Sequence, residues 1–286
     1  MKNIFTLKSV LTYLSMIFIL IGCTKDDDLN YTIDTRENYV IEKITRFESE
    51  TNFTNTEFIY DQNNKLIRKI QTGKFIQNNQ IRDLKYIDEL EYSQGFVSKI
   101  FINDLTHFMF SYEIHLFYNS QKNLIRKETW KNNSMIGHQN YHYEDNKVVS
   151  FFTDQTAPFE TNRIYYDNLN NLYKHTYLLP NTDLIGNPIP GELIETDFLY
   201  EYDNKSKPNI GLDYLFIYSP LESIGTGETG FARELSESNL TKYTNSGTTW
   251  TFKYNNIDLP IKFEMKWDGI QTLQPMIWDI TYRKLN

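Results

Sequence analysis

The chain has 286 residues, 29 of them Lys or Arg and 37 Asp or Glu, for a formal net charge of −8 at pH 7. That acidity excludes a nucleic-acid partner, whose phosphates call for a basic surface, and it excludes charge-driven adhesion to anionic headgroups. Aromatic residues make up 15%, with 21 Tyr and 19 Phe against 12 Gly and 8 Pro, which excludes a disordered chain and suits the pleated, half-buried surface of a sheet.

Lys2 and Lys8 introduce residues 10–21, an apolar run interrupted only by Thr12 and Ser15. A charged start, about 7–15 apolar residues and small residues at a cleavage point make a secretory signal. The run falls short of the ~20 apolar residues that a spanning helix needs, and Asp26, Asp27 and Asp28 follow it. Residues 1–22 are therefore expected to be a signal peptide. Leu20-Ile21-Gly22-Cys23 resembles a bacterial lipobox. The resemblance implies cleavage before Cys23, the chain's one cysteine, and a diacylglycerol on its thiol. At about 0.8 kcal/mol for each buried methylene, several acyl chains make such an anchor all but permanent. Thr24-Lys25-Asp26-Asp27-Asp28 is similar to the acidic export tag of Bacteroidetes lipoproteins, which implies the outer face of the outer membrane. Read as a plain solvated tether, the same run leaves a periplasm-facing protein open. Residues 23–38 are thus expected to be the lipidated cysteine and an acidic tether, and residues 39–286 a single all-β domain.

From residue 39 onward a loose repeat recurs. One or two apolar residues lead to a tyrosine, then to a short polar stretch rich in Asp and Asn, then to an apolar residue that restarts a strand. It runs from Tyr60 to Leu66, Tyr118 to Leu124, Tyr166 to Leu172, Tyr202 to Pro208 and Tyr254 to Pro260, with the same spacing each time. Tyr92 to Phe96 and Tyr143 to Val148 are shorter variants. Phe58 and Tyr60, two apart, face one side of a strand, and Leu66 and Ile70, four apart, are expected to share a face of the returning one. Asp61, Asn63 and Asn64 supply the side-chain hydrogen bonds and the tolerance of left-handed backbone that a turn needs. Each unit reads as a β-hairpin with an aromatic anchor before its turn, the ring buried and the hydroxyl wet. The anchors allow about two strands per interval, roughly a dozen or more in an up-and-down meander.

Two stretches interrupt the rhythm as loops: residues 180–196, with Pro188, Pro190 and Gly191, and residues 220–230, with Gly225 and Gly227. One short helical turn is expected around residues 231–235. The expected fold is all-β, a large curved antiparallel sheet of hairpins with little helix, either open or closed as a barrel.

The Tyr-Asp-x-x-x-x-Leu spacing resembles the YD repeats of long β-sheet shell proteins. It is closer still to a group of uncharacterised Bacteroidetes surface lipoproteins with the rhythm YxYDxxGxLxxI. Glu237-Ser238-Asn239-Leu240-Thr241-Lys242-Tyr243, Trp250-Thr251-Phe252-Lys253-Tyr254 and Leu259-Pro260-Ile261-Lys262 are similar to the closing stretch of that group. The turn glycine of the pattern is missing. Asn64 and Asn170 take its place in two copies, as left-handed backbone permits, whereas Lys122 holds it in the Tyr118 copy and fits that turn poorly. The resemblance implies a large bent antiparallel sheet and no known activity, and it carries over no functional residue.

Chemistry is sparse. His138 and His142 share a strand face but lie ~13 Å apart along an extended chain, too far to hold one metal. No HExxH, paired cysteine ligand or calcium loop is present. His107, His115 and His175 complete the histidines and read with them as exposed or hydrogen-bonded sheet residues. Asp88 with Glu89, and Glu192 with Glu195, are carboxylate pairs of the kind a glycosidase uses, though nothing in the sequence selects one pair. No serine elbow occurs. Gly225-Thr226-Gly227-Glu228-Thr229-Gly230 lacks the Gly-Lys-Ser/Thr of a phosphate loop and reads as a surface loop. Trp130, Trp250, Trp267 and Trp278 are expected in the sheet core, with a sugar-stacking platform as the alternative.

The sequence thus names no catalytic residue, no metal site and no cofactor; Cys23 is its one assigned site. It points to a membrane-anchored surface lipoprotein with a non-enzymatic binding or scaffold β-domain. The partner would be a glycan, another outer-membrane protein or a lipid-like molecule held in the curve of the sheet. The competing readings are an extracellular polysaccharide hydrolase working through paired carboxylates and a purely structural spacer.

Overall fold

Why a Tyr-Asp pair ends a strand is visible in its first copy. Asp61 Oδ1 accepts the backbone N–H of Asn63 at 2.8 Å and of Lys65 at 2.9 Å. The Asp61 N–H donates to the Lys65 carbonyl at 2.9 Å and the Asn64 N–H to the Asp61 carbonyl at 3.1 Å. Asn64 is left-handed, at φ 61°. Asn119, Asp167 and Asn255 cap their own turns through the same atoms. The matching left-handed residues are Lys122 at φ 70°, Asn170 at 62° and Asp258 at 61°. The cap and the flanking ladders override the poor fit of Lys122, so its turn is like the others.

The computed structural model describes residues 35–106, 111–153, 162–182, 188–208, 232–233, 235–267 and 275–285. After a short 3-10 turn at Arg36–Asn38 come Tyr39–Ser49 (β1), Asn52–Tyr60 (β2), Leu66–Gln77 (β3), Gln80–Ser93 (β4) and Phe96–Asp104 (β5). Tyr112–Tyr118 (β6), Leu124–Lys131 (β7), Ser134–Glu144 (β8), Lys147–Thr153 (β9), Asn162–Tyr166 (β10) and Leu172–Thr182 (β11) follow. The last are Pro188–Ser206 (β12), Ser238–Tyr243 (β13), Thr248–Tyr254 (β14), Pro260–Trp267 (β15) and Met276–Lys284 (β16). Each strand pairs antiparallel with its chain neighbours, and β16 pairs with β1. The meander therefore closes into a barrel, which leaves no open sheet edge.

All even-numbered strands end at one rim, and each brings a tyrosine there. Beside each tyrosine the register slips: between Ile59 and Tyr60, Glu91 and Tyr92, Phe117 and Tyr118, His142 and Tyr143. The slips recur at Tyr166, Tyr202 and Tyr254, and opposite Tyr282 between Ile41 and Lys43. A bulge puts one extra residue in one strand and shifts which face the next residues take. Leu66 thus points inward, as do Lys69 and Gln71, whereas Ile70 pairs with the outward Glu57. The expected common face for Leu66 and Ile70 is overturned by that extra residue.

The tyrosine hydroxyls are not left to water. Tyr60 donates to the Ile41 carbonyl at 2.6 Å, Tyr92 to Leu66 at 2.7 Å, Tyr118 to Val97 at 2.8 Å and Tyr143 to Leu124 at 2.8 Å. Tyr166 donates to Val148 at 2.9 Å, Tyr202 to Leu172 at 2.8 Å and Tyr282 to Pro260 at 2.7 Å. Each reaches back to the strand before its own, so the latches follow one another round the rim. Tyr254 donates instead to the Asp203 carboxylate. Burial pushes the hydroxyls of Tyr60, Tyr166, Tyr202 and Tyr282 well above the usual tyrosine range, which keeps the donor protons in place.

Two interruptions differ from expectation. β12 runs on past Tyr202, because Asp203 there accepts the N–H of Asn239 on β13 as well as that of Lys205. Of the residues 180–196 expected as a loop, 180–182 and 188–196 are strand instead, paired from Pro180 with Leu193 to Thr182 with Pro188, and 183–187 lie outside the described residues. A register shift between Pro180 and Thr182 marks where this proline-bearing end departs from regular pairing. Ala232, Arg233 and Leu235 are helical, where the short turn was expected. The glycine-rich stretch at 220–230 lies outside the described residues.

Inside the barrel, Phe58, Leu66, Leu124, Leu172, Phe263 and Trp278 are among the fully or nearly buried residues below the tyrosines. Phe263 stacks on Trp278 at 4.5 Å and 9°. Polar groups enter deeper along the strands. Lys69 and Asp88 form an ion pair of 2.9 Å with both side chains only 5% exposed. His175 is fully buried among Phe151, Tyr177 and Phe198, and burial pushes its pKa down to about 4.

The outside has the opposite character. Cross-strand ion pairs stud it: Arg68–Glu89 at 2.6 Å, Lys174–Asp197 at 3.4 Å, Lys242–Glu201 at 2.9 Å and Lys262–Asp279 at 3.9 Å. Apolar residues such as Ile67, Phe117, Leu199 and Ile261 are exposed among these charges, while the bulk of the buried side chains is apolar.

Candidate binding groove on the outer wall

On β5, β6 and β7 the ladder sets outward side chains in rows. Lys99 lies beside His115, and His115 beside Glu128. One step further along, Phe101 lies beside Glu113, and Glu113 beside Trp130. Beyond them Asn103 and Ser111 meet Asn132 and Asn133 of the β7–β8 turn, on the rim away from the tyrosines. Lys99, Phe101, Glu113, His115 and Trp130 of these rows, with that fringe, line a half-open groove of about 530 Å³, within the ~300–1,000 Å³ of small-molecule sites. The turn itself follows from its two asparagines, left-handed at φ 51° and 63°, the pattern a two-residue hairpin requires.

Glu113 is the centre. Its Oε2 is 2.8 Å from His115 Nε2 and 3.3 Å from Lys99 Nζ. The His115 hydrogen bond and the Lys99 ammonium hold its carboxyl below the usual range, against a smaller opposing effect of burial. Trp130 is fixed from two sides. Its indole N–H donates to Glu128 Oε2 at 2.9 Å, and its ring stacks on His115 at 5.3 Å and 19°. Burial works to raise the Glu128 pKa, but the bonds from Trp130 and from Arg126 at 2.7 Å together hold it low. Both carboxylates are therefore ionised acceptors, and neither is set up as a proton donor.

The carboxylate pairs picked out in the sequence do not converge. Asp88 faces inward onto Lys69, whereas its neighbour Glu89 faces outward onto Arg68. Glu192 accepts from Asn181 at 2.8 Å, and Glu195 pairs with Arg163 at 3.4 Å. His138 and His142 stay on separate rungs of β8, opposite Glu128 and Ser150. Among the described residues no group of His, Cys, Asp and Glu could hold a metal. His107 and the lipid-acceptor candidate Cys23 lie outside the described residues.

The tryptophans divide by face. Trp250 and Trp278 are core residues and Trp267 packs partly buried against them. Trp130 alone among the four stands on the outer wall, flanked by the groove's polar groups. Sequence reading weighed it with the others and did not separate it. Its local setting does not single it out, because Trp267 likewise follows a charged residue and precedes a turn-type pair, Asp268-Gly269.

No family model and no curated protein matches the chain. Solved structures do. A porin-like protein from Bacteroides vulgatus ATCC 8482 matches at 11% identity and a TM-score of 0.27, covering 86% of this chain and 100% of that one. TcdB2–TccC3 without its hypervariable C-terminal region matches at 15% identity and a TM-score of 0.27, covering 82% of this chain and 12% of that one. A porin-like protein from Bacteroides uniformis ATCC 8492 is 13% identical with a TM-score of 0.51, over 85% of this chain and 98% of that one. That last likeness is one of fold: the chain is similar in architecture to a Bacteroides porin-like β-barrel.

Proposed function

We propose that this chain is a membrane-anchored surface lipoprotein whose barrel stands in water as a non-enzymatic binding or scaffold domain. The observation that carries this reading is the polarity of the wall. A barrel that spans lipid needs an apolar outer band, and each Lys or Arg at the bilayer midplane costs about 2–4 kcal/mol. Here Lys and Arg recur on the outer face from β3 to β16, while Phe, Leu, Ile and Trp fill the inside. Attachment then falls to the N-terminal segment. Cys23, in its lipobox-like setting, is the proposed acceptor of the lipid. Residues 24–35 reach at most about 40 Å when fully extended before the chain enters the barrel at the tyrosine rim. The groove's asparagine turn is on the opposite rim from the start of β1.

Cys23→Ala in the producing cell tests the anchor, and protease treatment of intact cells tests the exposure. The proposal expects the variant to leave the membrane fraction and the wild type to be digested from outside. Retention of the variant in membranes contradicts the anchor; full protection of the wild type moves the protein to the periplasmic side.

A further inference from the structure

We propose that the groove on β5, β6 and β7 binds an uncharged saccharide, a ligand class that rests on the reading of the wall as water-facing. The first argument is charge. Glu113 is answered by Lys99 at 3.3 Å, and Glu128 by Arg126 at 2.7 Å. Among the described residues the site offers acceptors and donors in abundance and each lining charge is answered, so neither an anion nor a cation gains from entering it. The second is the aromatic surface. Trp130 and Phe101 flank Glu113 on the two adjoining strands, which places them about 10 Å apart across the ladder. The Lys99 ammonium lies 5.0 Å over the Phe101 ring, so Trp130 is the main apolar surface for the C–H face of a saccharide ring, whose hydroxyls point outward in the ring plane. The third is the fringe. A carboxylate and a primary amide each offer two polar atoms in one plane, which suits the adjacent hydroxyls of a sugar. Glu113, Asn103, Asn132 and Asn133 supply four such groups around the rings.

The platform is also set before any ligand arrives. The Trp130 ring cannot turn freely, because its N–H is held by Glu128 and its face by His115. Less ordering entropy is then lost on binding. A phosphorylated or sulfated ligand would meet Glu113 with no unpaired cation among the described lining residues to offset it.

The test uses the full-length protein in a detergent without a sugar headgroup, screened against neutral and charged oligosaccharides and then titrated with the best ligand. The proposal expects a neutral oligosaccharide to bind with little dependence on salt. Trp130→Ala is expected to weaken it by about tenfold or more, as loss of a central aromatic anchor does. Trp130→Tyr should recover most of the affinity. Thermal unfolding of each variant confirms that the barrel is intact, and Phe101→Ala serves as a second probe of the same surface. No binding of any neutral oligosaccharide at millimolar concentration overturns the proposal. So does binding that the Trp130 and Phe101 variants leave unchanged, or preference for charged glycans that salt abolishes. These readouts come from purified protein wherever it resides in the cell, whereas release of the Cys23 variant reports only on the anchor, so the two readings can fail separately.

Discussion

A tyrosine hydroxyl on a neighbouring carbonyl is a small interaction, yet here it recurs at the end of almost every even strand. Tyr143→Phe removes one latch and leaves the Leu124 carbonyl short of a partner in a partly buried setting. That is expected to cost about 1–2 kcal/mol in chemical denaturation. The half-exposed Tyr173 makes the control, since Tyr173→Phe should stay within about 0.5 kcal/mol of wild type. His175 gives a second test at this scale. Buried, it resists protonation until about pH 4, whereas in the unfolded chain it takes a proton near its ordinary 6.5. Between those values the unfolded state binds the extra proton, so stability falls as pH drops through the window and levels off below it. Relative to His175→Phe, the wild type should lose about 3 kcal/mol between pH 7 and pH 4. Parallel pH profiles for the two proteins would show no such difference if the ring were accessible to solvent.

At the scale of the hairpin, sequence and structure agree where the chemistry is local. An Asp or Asn after the tyrosine, with an apolar residue six positions on from that tyrosine, marked four turns to the residue, because the cap needs only its own backbone. Lys122 is the exception to residue preference within that agreement. It holds left-handed backbone at φ 70°, a conformation that costs a non-glycine residue about 1–2 kcal/mol. Lys122→Gly should therefore raise stability by about 0.5 kcal/mol or more, after loss of the ammonium's contact with the Phe96 ring, as read by the denaturation midpoint. Facing was harder to read than turning. Each bulge reverses the alternation, so counting in twos from Leu66 points Arg68 and Ile70 the wrong way. The same difficulty hid Trp130, whose position on the outer wall depends on parity carried across such bulges. The strand residues 180–182 and 188–196 differ from expectation for another reason: their prolines sit where pairing is already irregular, and there they do not end a strand.

Closure belongs to the whole molecule, and nothing within one repeat foretells it. It requires Tyr39 and Lys284 to pair across the length of the chain, with Tyr282 and Ile41 completing the ring of latches at its seam. Tyr282 escaped notice as an anchor because no turn follows it. The closed barrel shares its architecture with a porin-like protein, but ion pairs recur on its outer face, where a lipid-facing band is apolar, and much aromatic bulk lies inside. The most direct test of that arrangement is a single cysteine placed mid-wall at the exposed Thr251, in protein held in isolated membranes. Its rate of labelling by a membrane-impermeant thiol reagent is compared with that of a cysteine at Asn78, in the hairpin turn at the far rim. A wall in water predicts comparable rates at the two positions; labelling at Asn78 with protection at Thr251 would place the wall in the bilayer and contradict it.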